Sequence, residues 1–152
     1  MKYFYKNINL LWLLLLASLS AEGQQSYWRK AEFDSQRSAT NLSAVAQYFT
    51  LDKDAFGRVL RGATTARGAT IVEIPNAEGQ LISYRINPTQ VLSDELAQKY
   101  PSILTFEGVG IEDNSQRIRF TFSDFGLDAI MQQNLHYAFV EAEEHGGNLY
   151  RV

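Results

Sequence analysis

The chain has 152 residues, with 14 basic and 17 acidic side chains and a formal net charge of −3 at pH 7. This length accommodates one domain, and a mildly acidic chain gains little from phosphate neutralisation, so composition argues against a nucleic-acid partner. The absence of cysteine excludes disulfide bonds, thiol nucleophiles and lipid attachment through cysteine.

An export signal is predicted at the amino terminus. Two lysines precede an apolar run at residues 10–16, and small residues follow it, which is the layout of a secretory signal peptide. The run is much shorter than the ~20 residues that cross a bilayer, so we expect no stable membrane anchor, and cleavage after Ala21 or after Gly23. Residues 1–23 are therefore predicted to be a signal peptide that sends the chain to the periplasm, the cell surface or the medium.

A β-rich domain is predicted to follow a flexible linker. Residues 24–43 are mostly polar and are expected to form a poorly ordered entry segment, whereas residues 44–152 carry the domain. Its first strand is expected at 44–51. Asp52 then caps a short helix that Gly62 is placed to end. Arg61-Gly-Ala-Thr64 is predicted to be a flexible loop, and the similar Arg67-Gly-Ala-Thr70 is predicted to lead into the next strand.

A hairpin and a second short helix come next. Residues 70–74 and 80–86 are strand-like, and the turn between them contains a proline and a glycine, as hairpins require. Ser93 is a good N-cap for a helix of about two turns, which Pro101 stops.

The rest of the chain is predicted to be antiparallel β structure. Regular spacing of short strands favours an antiparallel β-sandwich or a strongly curved sheet with one or two short helices, that is, a mainly β (α+β) fold. The chain stops inside an apparent strand, from which we expect a domain truncated at its C-terminus. Further strands are expected at 102–106, 116–122, 127–132, 135–141 and 148–152, with Gly108-Val-Gly110 as a loop or bulge.

The sequence contains no metalloprotease zinc motif. That motif needs two histidines four residues apart on a helix, with a glutamate after the first. His136 and His145 are the only histidines, and neither is followed by a second histidine or by glutamate. His145 is expected in a solvated acidic turn. His136 is expected to be exposed, because Leu135, Tyr137 and Phe139 would form the opposite, buried face of its strand.

Other catalytic constellations are missing as well. No serine lies in the Gly-x-Ser-x-Gly motif of a hydrolase. Glu112 and Asp113 are adjacent, so in a strand their side chains would point to opposite faces, and we expect both to lie in a solvent-exposed turn. Gly108-Val-Gly110 lacks the third glycine of a nucleotide-binding fingerprint. We therefore assign no catalytic, cofactor-binding or metal-binding residue and predict that the chain is not an enzyme.

Five segments, taken in order, resemble the prodomain of secreted bacterial reprolysin-like (adamalysin-like) zinc metalloproteases, and the similarity extends over residues 38–152. The segments are Tyr48-Phe-Thr-Leu-Asp52, Ile71-Val-Glu-Ile-Pro75 with Glu78-Gly79, Leu92 to Pro101, Thr105 to Asp113, and Ile118 to Ile130. The resemblance implies a segment between a signal peptide and a zinc catalytic domain, which assists the folding of that domain and masks its active-site cleft until proteolysis. The partner would be the cognate catalytic domain, and the zinc would belong to it.

One departure from that family concerns inhibition. Many adamalysin-type prodomains bind the zinc through a cysteine thiolate, and this chain has no cysteine. Inhibition would then be steric, or would use an oxygen or imidazole ligand. Asp113, Asp128 and His136 are weak candidates for such a ligand.

Two alternatives stay open at this stage. One is a free-standing exported β-sandwich module for binding or adhesion, with Tyr27, Trp28 or Tyr150 exposed to contact a glycan or a protein. The other is a small exported hydrolase, which no residue constellation supports.

Overall fold

The computed structural model describes residues 26–32, 46–66, 68–133 and 135–152. The predicted signal peptide and most of the predicted entry segment lie outside these residues. The described helices are α1 (Lys53–Thr65) and α2 (Asp94–Lys99). The described strands are β1 (Trp28–Lys30), β2 (Tyr48–Leu51), β3 (Thr70–Pro75), β4 (Leu81–Thr89), β5 (Leu104–Gly110), β6 (Arg117–Ser123), β7 (Gly126–Gln133), β8 (His136–Ala142) and β9 (Leu149–Arg151).

The strands form one continuous sheet in the order β1-β2-β9-β8-β7-β6-β5-β4-β3, and every neighbouring pair is antiparallel. The two edges approach each other, because Trp28 Nε1 on β1 donates a hydrogen bond of 2.7 Å to the carbonyl oxygen of Glu73 on β3. The sheet is therefore curved and nearly closed. The predicted mainly β class is confirmed, and its architecture is the curved sheet rather than the sandwich.

The concave side of the sheet holds the core, and α1 packs into it. Phe56 of α1 is fully buried and its ring lies 5.7 Å from Tyr27, 6.3 Å from Trp28 and 5.9 Å from Phe122, all at edge-on angles. Such aromatic pairs are stabilising beyond the area that they bury. Among the described residues, no helix has the length and apolar character needed to span a membrane.

The predicted cap of α1 is confirmed, but its predicted end is wrong. Asp52 Oδ1 accepts a hydrogen bond of 3.0 Å from the backbone N–H of Ala55. The helix then continues through Gly62 to Thr65, so Arg61–Thr64, predicted to be a flexible loop, is helical. Leu60 and Ala63 are buried and extend the apolar face of the helix, and this burial outweighs the ~1 kcal/mol by which glycine disfavours a helix interior.

The predicted flexible entry segment is wrong where the structure describes it. Trp28–Lys30 forms the edge strand β1, which pairs with β2. Trp28 is buried, and its ring lies 5.3 Å from that of Tyr150. A single large aromatic residue thus anchors an otherwise polar stretch to the core, which composition alone did not reveal.

The predicted hairpin is confirmed as β3 and β4, with Gly79 at φ 79 in the turn. Gly108-Val-Gly110 is not a bulge, since β5 pairs without interruption with β4 and β6. A Cβ at Gly108 would lie 2.9 Å from Ile86 Cγ2 and 3.0 Å from Ile118 Cγ2. Glycine is required here for close packing inside the curved sheet.

Candidate docking surface

The two faces of β8 are reversed relative to the prediction. Ala138 pairs with Met131 and Val140 pairs with Ala129, and all four side chains point toward the core. The alternation of a strand then turns Tyr137 and the next aromatic residue outward. Tyr137 is 58% exposed and Phe139 is 53% exposed, so their predicted burial is wrong.

Apolar side chains of the neighbouring strand extend this surface. Ile130 lies directly beside Phe139 in the register of β7 and β8, and it is exposed. Leu135, in the turn between these strands, is 90% exposed. We name Ile130, Leu135, Tyr137 and Phe139 the aromatic face. A shallow groove of about 540 Å³ begins at Ile130 and Tyr137 and extends across β6 to β5.

Arginines border the aromatic face. Arg119 lies next to Ile130 across the β6–β7 pair, and Arg117 lies two positions before it. Arg85 occupies the same row as Arg117, with Val109 between them. Arg119 forms an exposed ion pair of 3.7 Å with Glu107. In the described part of the chain, neither Arg85 nor Arg117 forms an ion pair with a carboxylate. The three arginines form a cationic border on a face that also carries Glu107, Asp128 and Glu141.

The structure does not bring the three candidate zinc ligands together. Asp113 lies in the β5–β6 turn, where its Oδ1 accepts a hydrogen bond of 2.8 Å from the backbone N–H of Ser115. Hydrogen bonds from the Ser115 side chain and backbone lower the pKa of Asp113. His136 opens β8 opposite Gln133, whereas Asp128 precedes Gln133 by five residues along β7, or about 17 Å. The described residues contain no cluster of three or more potential metal ligands.

His145 lies where the sequence predicted, in an exposed acidic turn. Its ring stands 6.2 Å from that of Phe125. Glu143, beside it, forms an ion pair of 3.8 Å with Arg151. The ion pair connects this solvent-exposed turn to β9. An exposed pair of this kind contributes little to stability.

The aromatic residues proposed for the adhesion alternative are mostly inaccessible. Trp28 and Tyr150 are buried in the core, and Tyr27 is half-buried against Phe56. Tyr150 Oη accepts a hydrogen bond of 3.2 Å from the backbone N–H of Leu127. The expectation that Trp28 and Tyr150 are exposed is therefore wrong.

Comparison with protein-family models, with curated proteins and with solved structures finds no match to this chain.

Sequence reasoning missed the aromatic face because both alternating sets of β8 are apolar. The set that contains Ala138 and Val140 has smaller side chains, and the larger aromatic set was taken for the core. A strand that is apolar on both faces is unusual in an antiparallel sheet. When one face of such a strand is solvated, apolar and polar residues normally alternate along it. This feature separates β8 from strands that have one solvated, polar face.

Proposed function

We propose that this chain is the non-catalytic prodomain of an exported reprolysin-like zinc metalloprotease. It assists the folding of the catalytic domain and masks its active-site cleft, and it docks through the aromatic face. The observation that carries the proposal is that Ile130, Tyr137 and Phe139 point outward from two adjacent strands, with Leu135 exposed in the turn between those strands. Contiguous exposed apolar surface on a globular domain marks a site of interaction.

Two further observations support this function. The ordered segments from Tyr48 to Ile130 resemble the reprolysin-like prodomain. The arginines beside the aromatic face, Arg85, Arg117 and Arg119, suit a partner with an acidic rim around an apolar centre. Aromatic and arginine side chains are the residue types that dominate binding energy at protein interfaces.

The test uses the full-length chain co-expressed with a cognate reprolysin-like zinc catalytic domain. We expect the two to co-purify, and we expect cleavage of a peptide substrate to slow as the chain is added. A Tyr137→Ser/Phe139→Ser double variant should bind at least about tenfold more weakly, since each side chain is a candidate anchor. Absence of binding, together with an unchanged rate, would refute the proposal.

A matched control comes from the opposite end of the sheet. Phe125 is 68% exposed and lies in the β6–β7 turn, away from the aromatic face. Phe125→Ser removes as much exposed aromatic surface as one of the test substitutions, and we expect it to leave the affinity unchanged. Equal loss from both variants would mean that general surface hydrophobicity causes the binding.

The alternative of a free-standing exported binding module relies on the same surface. Exposed Tyr137 and Phe139 can stack on a sugar ring as well as on a protein side chain. Capture of a defined glycan by the purified chain, lost in the Tyr137→Ser/Phe139→Ser variant and accompanied by no affinity for the catalytic domain, would favour this alternative.

A further inference from the structure

The aromatic face lies between a cationic corner and an acidic corner. Two exposed arginines of β6 and two exposed carboxylates of β7 and β8 form these corners: Arg117 and Arg119 on one side, Asp128 and Glu141 on the other. Asp128 lies two positions before Ile130, and Glu141 lies two positions after Phe139. Side chains two positions apart share one face of a strand, so both corners belong to the same outer surface as the aromatic face.

Ile130 lies midway between the two corners. Arg119 stands beside Ile130 on one neighbouring strand, and Phe139 stands beside it on the other. Arg117 is one outward position from Arg119 along β6, and Glu141 is one outward position from Phe139 in the opposite direction. Strands lie about 4.8 Å apart and outward positions recur every ~6.8 Å. The Cα atoms of Arg117 and Glu141 are therefore each roughly 8 Å from that of Ile130, on opposite sides of it.

A second copy of the chain complements this layout. In a dimer with two-fold symmetry the same patch is used on both copies, and the axis in the interface decides which positions meet. An axis that passes Ile130 at right angles to the line from Arg117 to Glu141 exchanges these two positions. Arg117 of each copy then meets Glu141 of the other, and Ile130 meets its own copy.

The same axis matches the remaining groups of the surface. It sets Arg119 beside Asp128 of the second copy, and Tyr137 beside Phe139 of the second copy. Aromatic and aliphatic side chains thus meet at the centre, and unlike charges meet around them. An apolar centre with a complementary charged rim is the usual anatomy of a protein interface.

Other two-fold arrangements of this surface bring like charges together. An axis along β7 through Ile130 would place Asp128 against its own copy, because both residues lie on that strand. An axis across the strands would place Arg119 against its own copy, because Arg119 pairs with Ile130. Like charges in contact disfavour an arrangement, so the charge layout selects the first axis.

Ion pairs within the chain leave these charges accessible to a second copy. Arg119 pairs with Glu107 at 3.7 Å, and Glu141 pairs with Arg151 at 3.2 Å, both on the solvent-exposed surface. Exposed pairs of this kind are weak and can be exchanged. Arg117 and the Asp128 carboxylate form no ion pair within the described residues.

The extent of the surface sets the strength of such a dimer. The outward positions of β6, β7 and β8 span roughly 10 Å across the strands and 14 Å along them. With their side chains they cover roughly 500 Å² per copy, below the ~800 Å² per partner of a standard interface. We therefore expect a dissociation constant on the order of 10 to 100 µM. At lower concentrations the chain is a monomer, and its aromatic face is free.

We propose that the free chain forms a two-fold symmetric dimer through the aromatic face, in which Arg117 of each copy meets Glu141 of the other. This inference goes beyond the proposed function and does not depend on it. The catalytic domain and the second copy would use the same surface in turn, so each would displace the other.

The experiment measures sedimentation equilibrium of the full-length chain from about 1 to 500 µM, a range that brackets the expected dissociation constant. Arg117→Glu and Glu141→Arg each create two like-charge pairs per dimer and should each weaken association at least about tenfold. An equimolar mixture of the two variants contains both unlike pairs, so it should form a heterodimer about as tight as the wild-type dimer. A wild-type chain that stays monomeric throughout, or a mixture that associates no better than either variant alone, would overturn the proposal.

A matched control places the same charge change elsewhere. Arg58 is exposed on α1, and Arg58→Glu should leave the dissociation constant unchanged. Equal weakening by Arg58→Glu and Arg117→Glu would mean that net charge governs association, which would overturn the proposed contact.

Cross-linking provides a second measurement that does not depend on the charge variants. The chain has no cysteine, so Ile130→Cys introduces a single thiol at the axis. Facing sheets pack about 10 Å apart, and a bismaleimide of that span should join two copies of Ile130→Cys but not of Phe125→Cys. Equal cross-linking of the two variants, or none of Ile130→Cys where the wild type is dimeric, would contradict the proposed axis.

The dimer and the prodomain assignment can fail separately. A wild-type dimer with no affinity for the catalytic domain would support the dimer and remove the prodomain assignment. A chain that binds the catalytic domain but stays monomeric up to about 500 µM would do the reverse.

Discussion

The two ends of the curved sheet treat a buried tyrosine in opposite ways. At the end that α1 fills, Tyr150 Oη accepts a hydrogen bond from the N–H of Leu127, and its ring packs 5.3 Å from Trp28. At the other end, Tyr84 is only 2% exposed, yet its hydroxyl forms no hydrogen bond within the described residues and keeps access to solvent. One hydroxyl is satisfied by the backbone inside the core, and the other by water. The comparison teaches that a tyrosine buried as a whole residue can still present its polar atom to solvent.

The largest expected loss of stability comes from removing the main core contact of α1. Phe56→Ala removes a fully buried ring that contacts Tyr27, Trp28 and Phe122. We expect the free energy of unfolding to fall by about 3 to 5 kcal/mol, because the cavity left by a phenylalanine collapses only partly. Urea denaturation measures this change. A loss below about 1 kcal/mol would show that α1 does not hold this end of the sheet together.

The next largest loss of stability is expected at Tyr150, whose hydroxyl is hydrogen-bonded inside the core. Tyr150→Phe leaves the N–H of Leu127 without an acceptor inside the core, which should reduce the free energy of unfolding by about 1 to 3 kcal/mol. A variant as stable as the wild type in urea denaturation would remove the structural contrast between the two tyrosines.

The corresponding substitution of Tyr84, at the other end of the sheet, should hardly change the free energy of unfolding at neutral pH. Tyr84→Phe removes a hydroxyl that has no partner in the described residues, so we expect stability to change by less than about 0.5 kcal/mol, or to rise slightly. A destabilisation equal to that of Tyr150→Phe would mean that the Tyr84 hydroxyl has a structural role.

Alkaline pH tests the burial of both tyrosine rings, since burial also raises the pKa of Tyr150. Burial raises the pKa of Tyr84 to about 12, whereas an unfolded tyrosine releases its proton near pH 10. Between these values the folded protein holds more protons than the unfolded chain, so the stability present below pH 10 is lost as the pH rises toward 12. Thermal melts from pH 9 to 12 should fall less steeply for Tyr84→Phe than for the wild type. Parallel curves would contradict the assignment of this titration to Tyr84.

Much of this architecture was predictable from local signals. The cap at Asp52, the hairpin of β3 and β4, and the strand at Arg117–Ser123 follow from side-chain chemistry and from alternation within a few residues. The same alternation failed on β8, because Tyr137, Phe139 and the inward Ala138 and Val140 are all apolar. Only the register with β7 decides which set faces the core.

The candidate site depended on long-range contacts that no local pattern reveals. Trp28 Nε1 donates a hydrogen bond to the carbonyl oxygen of Glu73, which joins the two edges of the sheet. The segment around Trp28, predicted to be a flexible entry, is therefore the edge strand β1. Tyr84 on β4 and His136 on β8 are separated by three strands of the sheet, and both line one small cleft because the sheet is strongly curved. The sequence therefore predicted the class of the fold, while the docking surface required its three-dimensional register.

The smallest expected change in stability accompanies the largest expected change in binding. Tyr137→Ser and Phe139→Ser alter outward side chains and should each change the free energy of unfolding by at most about 0.5 kcal/mol, as measured by urea denaturation. Affinity for the catalytic domain should nevertheless fall at least about tenfold. A large loss of stability would show that these residues support the sheet itself.

The dependence of binding affinity on salt concentration tests the role of the arginines that border the aromatic face. Binding through Arg85, Arg117 and Arg119 should weaken as ionic strength rises from about 0.05 to 0.5 M, because salt screens exposed charges over about 10 Å or less. An Arg85→Gln/Arg117→Gln variant should lose most of that dependence. Affinity that is independent of salt would leave only the apolar contacts as the basis of docking.

Oxidative footprinting of aromatic side chains tests the central claim most directly. The full-length chain is labelled alone and in complex with the catalytic domain, and modification of Tyr137 and Phe139 is compared with that of Phe125, which is exposed at the other end of the sheet. Docking through the aromatic face predicts that the complex protects Tyr137 and Phe139 and leaves Phe125 as reactive as before. Unchanged labelling of Tyr137 and Phe139 in a complex that demonstrably forms would contradict it.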